Sequence, residues 1–325
     1  MPDRLTIKEF AAMTGVSTAT VSRAFGNQGR ISKATRRYIL AEADRCGYRP
    51  SYYASNLSKV RSTAVGFFYP EIYANEPDGF INELIFGITR RLDKAHSLSV
   101  TPFSEVDDSV LESCLTQLLD GRIGSAMIVA EAANSLRLAE QAKKLRLPFV
   151  IIGDAPEYET HSIRPSNEEG AFQAGQYFRR MGKKHPVYVT GHLDAAKQRG
   201  FERGFGASIQ RVPGGAGFRF GEQAFFKLRQ LSPKADCVLC ANDILAAGLL
   251  SAALRAGVKI PEELSVIGFD DIAMSRYFTP AISSVSLHLL QLGARAVELL
   301  EQQFAGIVPA SGEMFPSDLI LRHSS

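Results

Sequence analysis

The strongest constraint on this chain is an alternation: from Arg61 onward, short apolar runs take turns with longer stretches whose apolar residues recur at helical spacing. The runs Val65–Tyr69, Val100–Phe103, Ala126–Ala130, Phe149–Gly153, Val187–Gly191, Val238–Cys240 and Ser265–Phe269 are strand candidates. Between and after them, Phe80–Ala95, Val110–Leu119, Glu168–Met181, Ile244–Ala256 and Leu289–Phe304 carry the period of an amphipathic helix. Strands that alternate with helices form parallel sheets, because a parallel neighbour is reached by a crossover and not by a tight turn. So many runs exceed one sheet of the usual size of about five to six strands, which favours two sheets.

In open sheets of this kind ligands sit beyond the carboxyl ends of the strands. The polar residues that directly follow the apolar runs are Glu71, Asp154, His192, Asn242 with Asp243, and Asp270 with Asp271. Each has a structural alternative; Asn242 or Asp243 could equally cap the helix beginning near Ile244.

The first sixty residues are of another kind. Residues 1–61 hold 11 Lys and Arg against 4 acids, while the rest of the chain holds 26 against 30. A basic head on a mildly acidic body suits a polyanion-binding module joined to something with another task, since Lys and Arg release condensed counterions when they neutralise phosphates. Thr6-Ile7-Lys8-Glu9 reads as a capping box and starts a helix that Gly15 is placed to end. Ser17 caps a second helix, with Val16 and Val21 at the two positions of a hydrophobic staple. Val21, Ala24 and Phe25 face inward there, leaving Thr18, Ala19, Ser22 and Arg23 outward. Small residues at a helix N-terminus permit close approach to a duplex, and an arginine fork can grip a guanine edge. Ser32 caps a third helix that runs to about Cys46, stopped by Gly47 and Pro50. The pattern is a helix-turn-helix.

Other chemistries find no support. Cys46, Cys114, Cys237 and Cys240 show no disulfide framework. Cys237 and Cys240 have a metal-like spacing, but they lie on a strand candidate, where positions three apart face opposite sides, and no second pair completes a site. No nucleophile-elbow, zinc-protease, P-loop or dinucleotide-binding motif occurs, so no enzyme is expected and no cofactor is expected. Met1–Phe10 has no apolar export core and no stretch approaches the roughly 18 apolar residues of a membrane span, so the expected location is the cytoplasm, with no membrane partner.

The chain resembles the lactose-repressor/galactose-repressor family of transcription regulators. The resemblance begins with Thr6-Ile7-Lys8-Glu9, the run Gly15 to Arg23, Ile31 to Arg36, and Gly47-Tyr48-Arg49-Pro50. It continues through Leu145–Gly153, Asn167 with Gly170, Gly200-Phe201, Cys240 to Asp243, Gly257 through Pro261, Ser265–Ile272, Tyr277 through Pro280 and Leu292-Gly293. The resemblance implies that Thr18 and Ala19 set operator preference, that Arg23 reads bases, and that Thr6, Ser32, Thr35 and Tyr48 lie near phosphates; Thr20 and Ser22 complete the set on the second helix. It implies a hinge helix after Pro50 in which Ala54 and Leu57 contact DNA, with Leu57 as a wedge in the minor groove, where apolar insertion kinks a base step. Gly26 stands where the family usually has Asn, Ser51 where it usually has Asn, and Ser55 where it usually has Arg or Gln.

The same resemblance implies the fold class: an N-terminal all-α helix-turn-helix head plus a periplasmic-binding-protein-like core of two parallel-sheet α/β subdomains. The expected domains are residues 1–50 for the head, 51–61 for the hinge and 62–325 for the core. Within the core, an N-subdomain spans about 62–156 and 286–315, and a C-subdomain about 157–285 and 316–325. A small metabolite, a sugar or sugar derivative, binds between them. Its expected contacts are Asn242 and Asp270, with Lys197 where the family commonly has Arg and Ser166 where it has Asp. Leu287 replaces a usual Gln and Ser283-Ser284 a usual Thr pair. Lys lacks the bidentate fork of Arg, and the loss of an acid and an amide changes which hydroxyl pattern can be satisfied, which argues against ordinary hexose recognition. Tyr69, Tyr73 and Phe218 could stack on a sugar face or simply pack. The expected assembly is an effector-responsive homodimer on a near-palindromic double-stranded DNA operator. A solute-binding protein could use the same core, but the basic head and lack of an export signal argue against it.

Overall fold

The computed structural model describes residues 6–25, 31–46, 48, 62–75, 79–130, 133–191, 195–215, 217–231 and 233–325. The expected hinge, with Ala54 and Leu57, lies outside them, as do Gly26 and His192. The chain divides into two compact units, Met1–Thr63 and Ala64–Ser325.

The first unit contains α1 (Ile7–Thr14), α2 (Thr18–Phe25) and α3 (Lys33–Cys46). The capping box is present: Thr6 Oγ1 accepts from the Glu9 N–H at 3.3 Å and the Glu9 carboxylate accepts from the Thr6 N–H at 2.8 Å. Gly15 ends α1 at φ 67°, a left-handed conformation that costs glycine nothing. Ser17 and Ser32 each accept from the N–H three residues on, at 3.1 and 3.0 Å, so the starts of α2 and α3 are satisfied as well. Phe10, Val21, Ala24, Ile39 and Ala43 close a small core. Tyr48 completes it, its ring stacked on Phe10 with centroids 4.1 Å apart.

The second unit has two six-stranded sheets. In chain order the elements are β1 (Ala64–Pro70), α4 (Ile72–Asn75), α5 (Phe80–Arg91), β2 (Ser97–Phe103), α6 (Asp108–Leu119), β3 (Ser125–Ala130), α7 (Ala133–Lys144), β4 (Phe149–Gly153) and β5 (Ser162–Pro165). There follow α8 (Asn167–Arg180), β6 (Pro186–Thr190), α9 (Ala195–Phe205), β7 (Gln210–Pro213), α10 (Phe218–Leu228), β8 (Cys237–Cys240), α11 (Asp243–Arg255) and β9 (Ser265–Asp270). The chain closes with β10 (Ser283–Ser286), α12 (Leu289–Phe304), β11 (Glu313–Phe315) and β12 (Asp318–Ile320). One sheet runs β11-β5-β4-β3-β1-β2 and the other β12-β10-β9-β8-β6-β7. Among the described residues pairing is parallel except between β10 and β12. The alternation of apolar runs thus folds as two doubly wound subdomains.

One boundary needs correction. Ser162–Pro165 falls in the span expected for the C-subdomain, yet it pairs with β4 and β11 in the first sheet. The chain therefore crosses at Ser166 and not near residue 157. It crosses back after β10 and again between β11 and β12. Two of these crossings are stitched together, because Ser166 donates both its N–H and its hydroxyl to the Phe315 carbonyl at 2.8 Å.

Within each subdomain, glycines let paired helices touch backbone to backbone. A Cβ on Gly204 of α9 would run into the Phe172 carbonyl of α8, and one on Gly175 of α8 would sit 2.5 Å from the Phe201 carbonyl. In the other subdomain a Cβ on Gly87 of α5 would strike the Leu290 carbonyl of α12, and one on Gly293 would lie 2.5 Å from the Leu84 carbonyl.

Candidate functional site

Two surfaces draw attention, one in each unit. In the head, burial of Val21 and Ala24 turns Thr18, Ala19, Ser22 and Arg23 to solvent. Thr20 is half-buried, its hydroxyl 2.9 Å from that of Ser17. Arg36 on α3 donates to the Arg23 carbonyl at 3.1 Å, which fixes the C-terminal turn of α2 against α3 while the Arg23 guanidinium stays exposed. Thr6 and Ser32 are exposed at the starts of α1 and α3, and the Thr35 hydroxyl lies 2.7 Å from that of Ser32. Tyr48 differs from expectation: it is only 2% exposed, and burial pushes its phenol pKa up. It is a core residue of the head, placed there by the ring stack with Phe10, and not a surface residue facing phosphate.

In the body, a cavity of about 1080 Å³ opens between the subdomains. Ser166, Lys197, Asn242 and Asp270, far apart in sequence, all line it. Ser166 sits at a crossing, Lys197 on α9, Asn242 just after β8 and Asp270 at the end of β9. Asn242 does both jobs open to it, since its Oδ1 accepts from the Leu245 N–H at 2.8 Å to cap α11 while the residue lines the cavity.

Asp270 is 6% exposed and holds φ at 94°, a strained conformation for a non-glycine residue. Among the described residues no donor lies within hydrogen-bond reach of its carboxylate. Its cation neighbour is Lys197, whose Nζ is 3.9 Å from Oδ1. That ammonium donates to the Ala241 carbonyl at 2.7 Å and lies 4.0 Å from the centre of the Phe269 ring. Burial pushes the Asp270 carboxyl pKa up, and Lys197 pulls it partly back. A buried carboxylate with open acceptor positions is a site built for an incoming donor.

Asp243 resolves differently. It is buried away from the cavity lining, where its Oδ2 accepts from the Ile272 N–H at 2.9 Å and from the Ser275 hydroxyl at 2.5 Å, and its Oδ1 accepts from the Ser284 hydroxyl at 2.6 Å. Burial pushes its pKa up to about 8 despite those bonds. Asp271 likewise turns structural, paired with Arg322 at 2.6 Å. Asp154 meets Arg164 at 3.0 Å on the rim.

Of the aromatic candidates Tyr73 lines the cavity, stacked on Phe80 at 5.3 Å, whereas Tyr69 and Phe218 do not line it. Phe80 and Arg164 line it too; in the sequence Phe80 reads only as a helix residue, and Arg164 lies on a strand too short to stand out. Among the described residues no cluster of metal-ligating side chains occurs, and no helix is long and apolar enough to cross a membrane.

Residues 6–51 match the model of the bacterial regulatory proteins of the lacI family, and residues 162–325 match the periplasmic binding protein-like domain. The chain is 29% identical over 302 residues to the probable HTH-type transcriptional repressor ExuR of Bacillus subtilis (strain 168), spanning 86% of each protein. It is 27% identical over 343 aligned positions to the HTH-type transcriptional repressor CytR of Escherichia coli (strain K12), spanning 98% of this chain and 96% of that one. Among solved structures, the lac repressor dimer bound to operator and the anti-inducer ONPF aligns with a TM-score of 0.86 at 20% identity over 99% of both chains. The transcriptional regulator CelR in complex with cellobiose aligns at 0.73 and 20% identity, over 99% of this chain and 100% of that one. With the family's helical head, its two-sheet core and matches to both parts, the protein belongs to the LacI family of bacterial regulatory proteins.

Proposed function

We propose that this protein is a transcriptional repressor that binds a near-palindromic operator as a homodimer and is controlled by a small metabolite in the cleft. The observation that carries the reading is the outward face of α2, where Thr18, Ala19, Ser22 and Arg23 stand clear of a closed core. A helix presented in this way fits the major groove, with Arg23 reaching a base edge and Thr6, Thr20, Ser32 and Thr35 near the backbone. Two heads related by a two-fold axis read two half-sites, which is why the operator is symmetric. Residues 51–61 act as the hinge, Ala54 and Leu57 entering the minor groove.

In the cleft, Asp270, Asn242, Ser166 and Lys197 form the effector contacts. Open acceptors on Asp270 favour a ligand rich in hydroxyl donors, a sugar or sugar derivative, and Tyr73 with Phe80 offers it an aromatic face. Binding there shifts the angle between the subdomains and so the operator affinity, a coupling typically of about 1–3 kcal/mol that acts in both directions. No catalytic step is assigned, and the place of action is the cytoplasm, where the operator is.

The test is selection of the full-length protein on a large random duplex pool in modest salt. Enrichment of a two-fold symmetric motif is the expected result; absence of any preference overturns the reading. A sugar panel screened by thermal shift, then by competition on the selected motif, identifies the effector.

A further inference from the structure

The two subdomains also meet away from the crossing strands. Glu83, in the first turn of α5, accepts a hydrogen bond at 3.0 Å from the N–H of Ala273, which opens the 3-10 turn Ala273–Arg276 after β9. Beside it Ile272 presses on Gly79, the residue that begins α5; a Cβ on Gly79 would come within 3.1 Å of the Ile272 side chain.

Each half of this contact is held from behind. On the second subdomain, Asp243 grips Ile272, Ser275 and Ser284 together. Asp243 directly follows Asn242, and Ile272 comes two residues after Asp270, so a frame of hydrogen bonds ties two cleft-lining positions to the turn that meets Glu83. On the first subdomain, the close packing of α5 on α12 at Gly87 and Gly293 leaves α5 no freedom to follow if the other subdomain rotates. This exposed carboxylate–N–H bond is charge-assisted and directional, and it is lost when the donor swings out of line. A rotation about the crossings that carries Ala273 away from α5 therefore breaks it.

We infer that the Glu83–Ala273 contact is a clasp that holds one of two angles between the subdomains, and that Glu83 is a positioning residue for effector control. This rests on the reading of the body as a ligand-gated sensor. The clasp favours the angle seen in this structure, and the Asp243 frame carries displacement of Asn242 or Asp270 to it.

The test uses the full chain without ligand or DNA. Spin labels are placed on Glu112→Cys of α6 and Lys227→Cys of α10, one in each subdomain, in a Cys46→Ser background; the other three cysteines are buried. Electron–electron resonance then gives the distance distribution between the subdomains. Glu83→Ala is expected to displace or split the peak, while Glu83→Gln, which keeps an acceptor oxygen, restores the parent distribution. The same Glu83→Ala change, without labels, is expected to alter affinity for the selected operator by roughly 5- to 150-fold, the usual span of such couplings. An unmoved distribution, or a moved one with unchanged operator affinity, overturns the clasp. If selection yields no operator at all, the repressor reading fails, whereas the distance measurement still decides whether the clasp exists.

Discussion

The Lys197 ammonium stands 3.9 Å from the Asp270 carboxylate, near enough to compensate its charge and too far to satisfy its oxygens. Its remaining acceptor positions face the cleft. Replacement by Asn keeps a side chain tolerant of the positive φ but takes away the carboxylate that a hydroxyl donor would meet and that faces Lys197. Asp270→Asn is expected to abolish the effector's influence on operator binding while the protein stays folded. Operator titration with and without effector, beside a melting curve, checks it; a retained response would refute the assignment.

Arg23 offers a different kind of readout. A bidentate arginine–guanine pair contributes about 1–3 kcal/mol of discrimination against a wrong base. Arg23→Ala should therefore lose roughly 5- to 150-fold in preference for operator over random duplex, measured by competition at fixed salt. Undiminished preference would remove Arg23 as a base reader.

Asp243 predicts a pH dependence. Its folded pKa of about 8 lies above the value near 3.8 of a free carboxyl, so the folded state holds the proton more tightly than the unfolded chain. The stabilisation this gives is present in acid and is lost as the pH rises through the interval up to about 8. Melting temperatures from pH 5 to pH 9 should accordingly fall more steeply for the parent protein than for Asp243→Asn. Parallel curves would mean that the buried carboxyl does not titrate in this range.

Gly204 should tolerate nothing larger. A methyl group there meets the Phe172 carbonyl, and overpacking of this kind typically costs about 1–3 kcal/mol. Gly204→Ala is expected to lower the denaturation midpoint by a corresponding amount, whereas Gly182→Ala, where a Cβ meets nothing within 4 Å, acts only through its φ of 73°. An unchanged midpoint for Gly204→Ala would show that helix contact is not what Gly204 serves.

Leu57 belongs to the proposed hinge. Leu57→Ala should reduce the bend imposed on the operator, read as gel mobility on circularly permuted fragments. An identical bend angle would exclude the wedge.

Much of this architecture is legible in the chain because apolar patterning and caps act locally. The seven strand candidates correspond to β1–β4, β6, β8 and β9. The missed strands are the short, polar or proline-bearing ones: Ser162–Pro165, Gln210–Pro213, Ser283–Ser286, Glu313–Phe315 and Asp318–Ile320. Three or four residues carry too little periodicity to register, and in Ser283–Ser286 only Val285 is apolar, the buried serines being held by hydrogen bonds. That is also why the first crossing, at Ser166, does not show in the sequence. Asn242 and Asp270 are legible as candidates because they follow apolar runs, but position alone marks Glu71, Asp243 and Asp271 equally, and these do not line the cavity. Tyr48, Phe80 and Glu83 are not legible, because what each does depends on a neighbour distant in sequence.

The interlocked glycines have a mechanical corollary. Helices that touch backbone to backbone at these glycines, braced by the Phe178–Phe201 rings in one half and the Arg91–Glu301 pair in the other, leave each half of the body stiff as a plate. Compliance is then confined to three thin ribbons of chain. A guest between such plates is registered as a change in tilt, which travels undiminished to their far edges, and not as a dent that fades within a few ångströms.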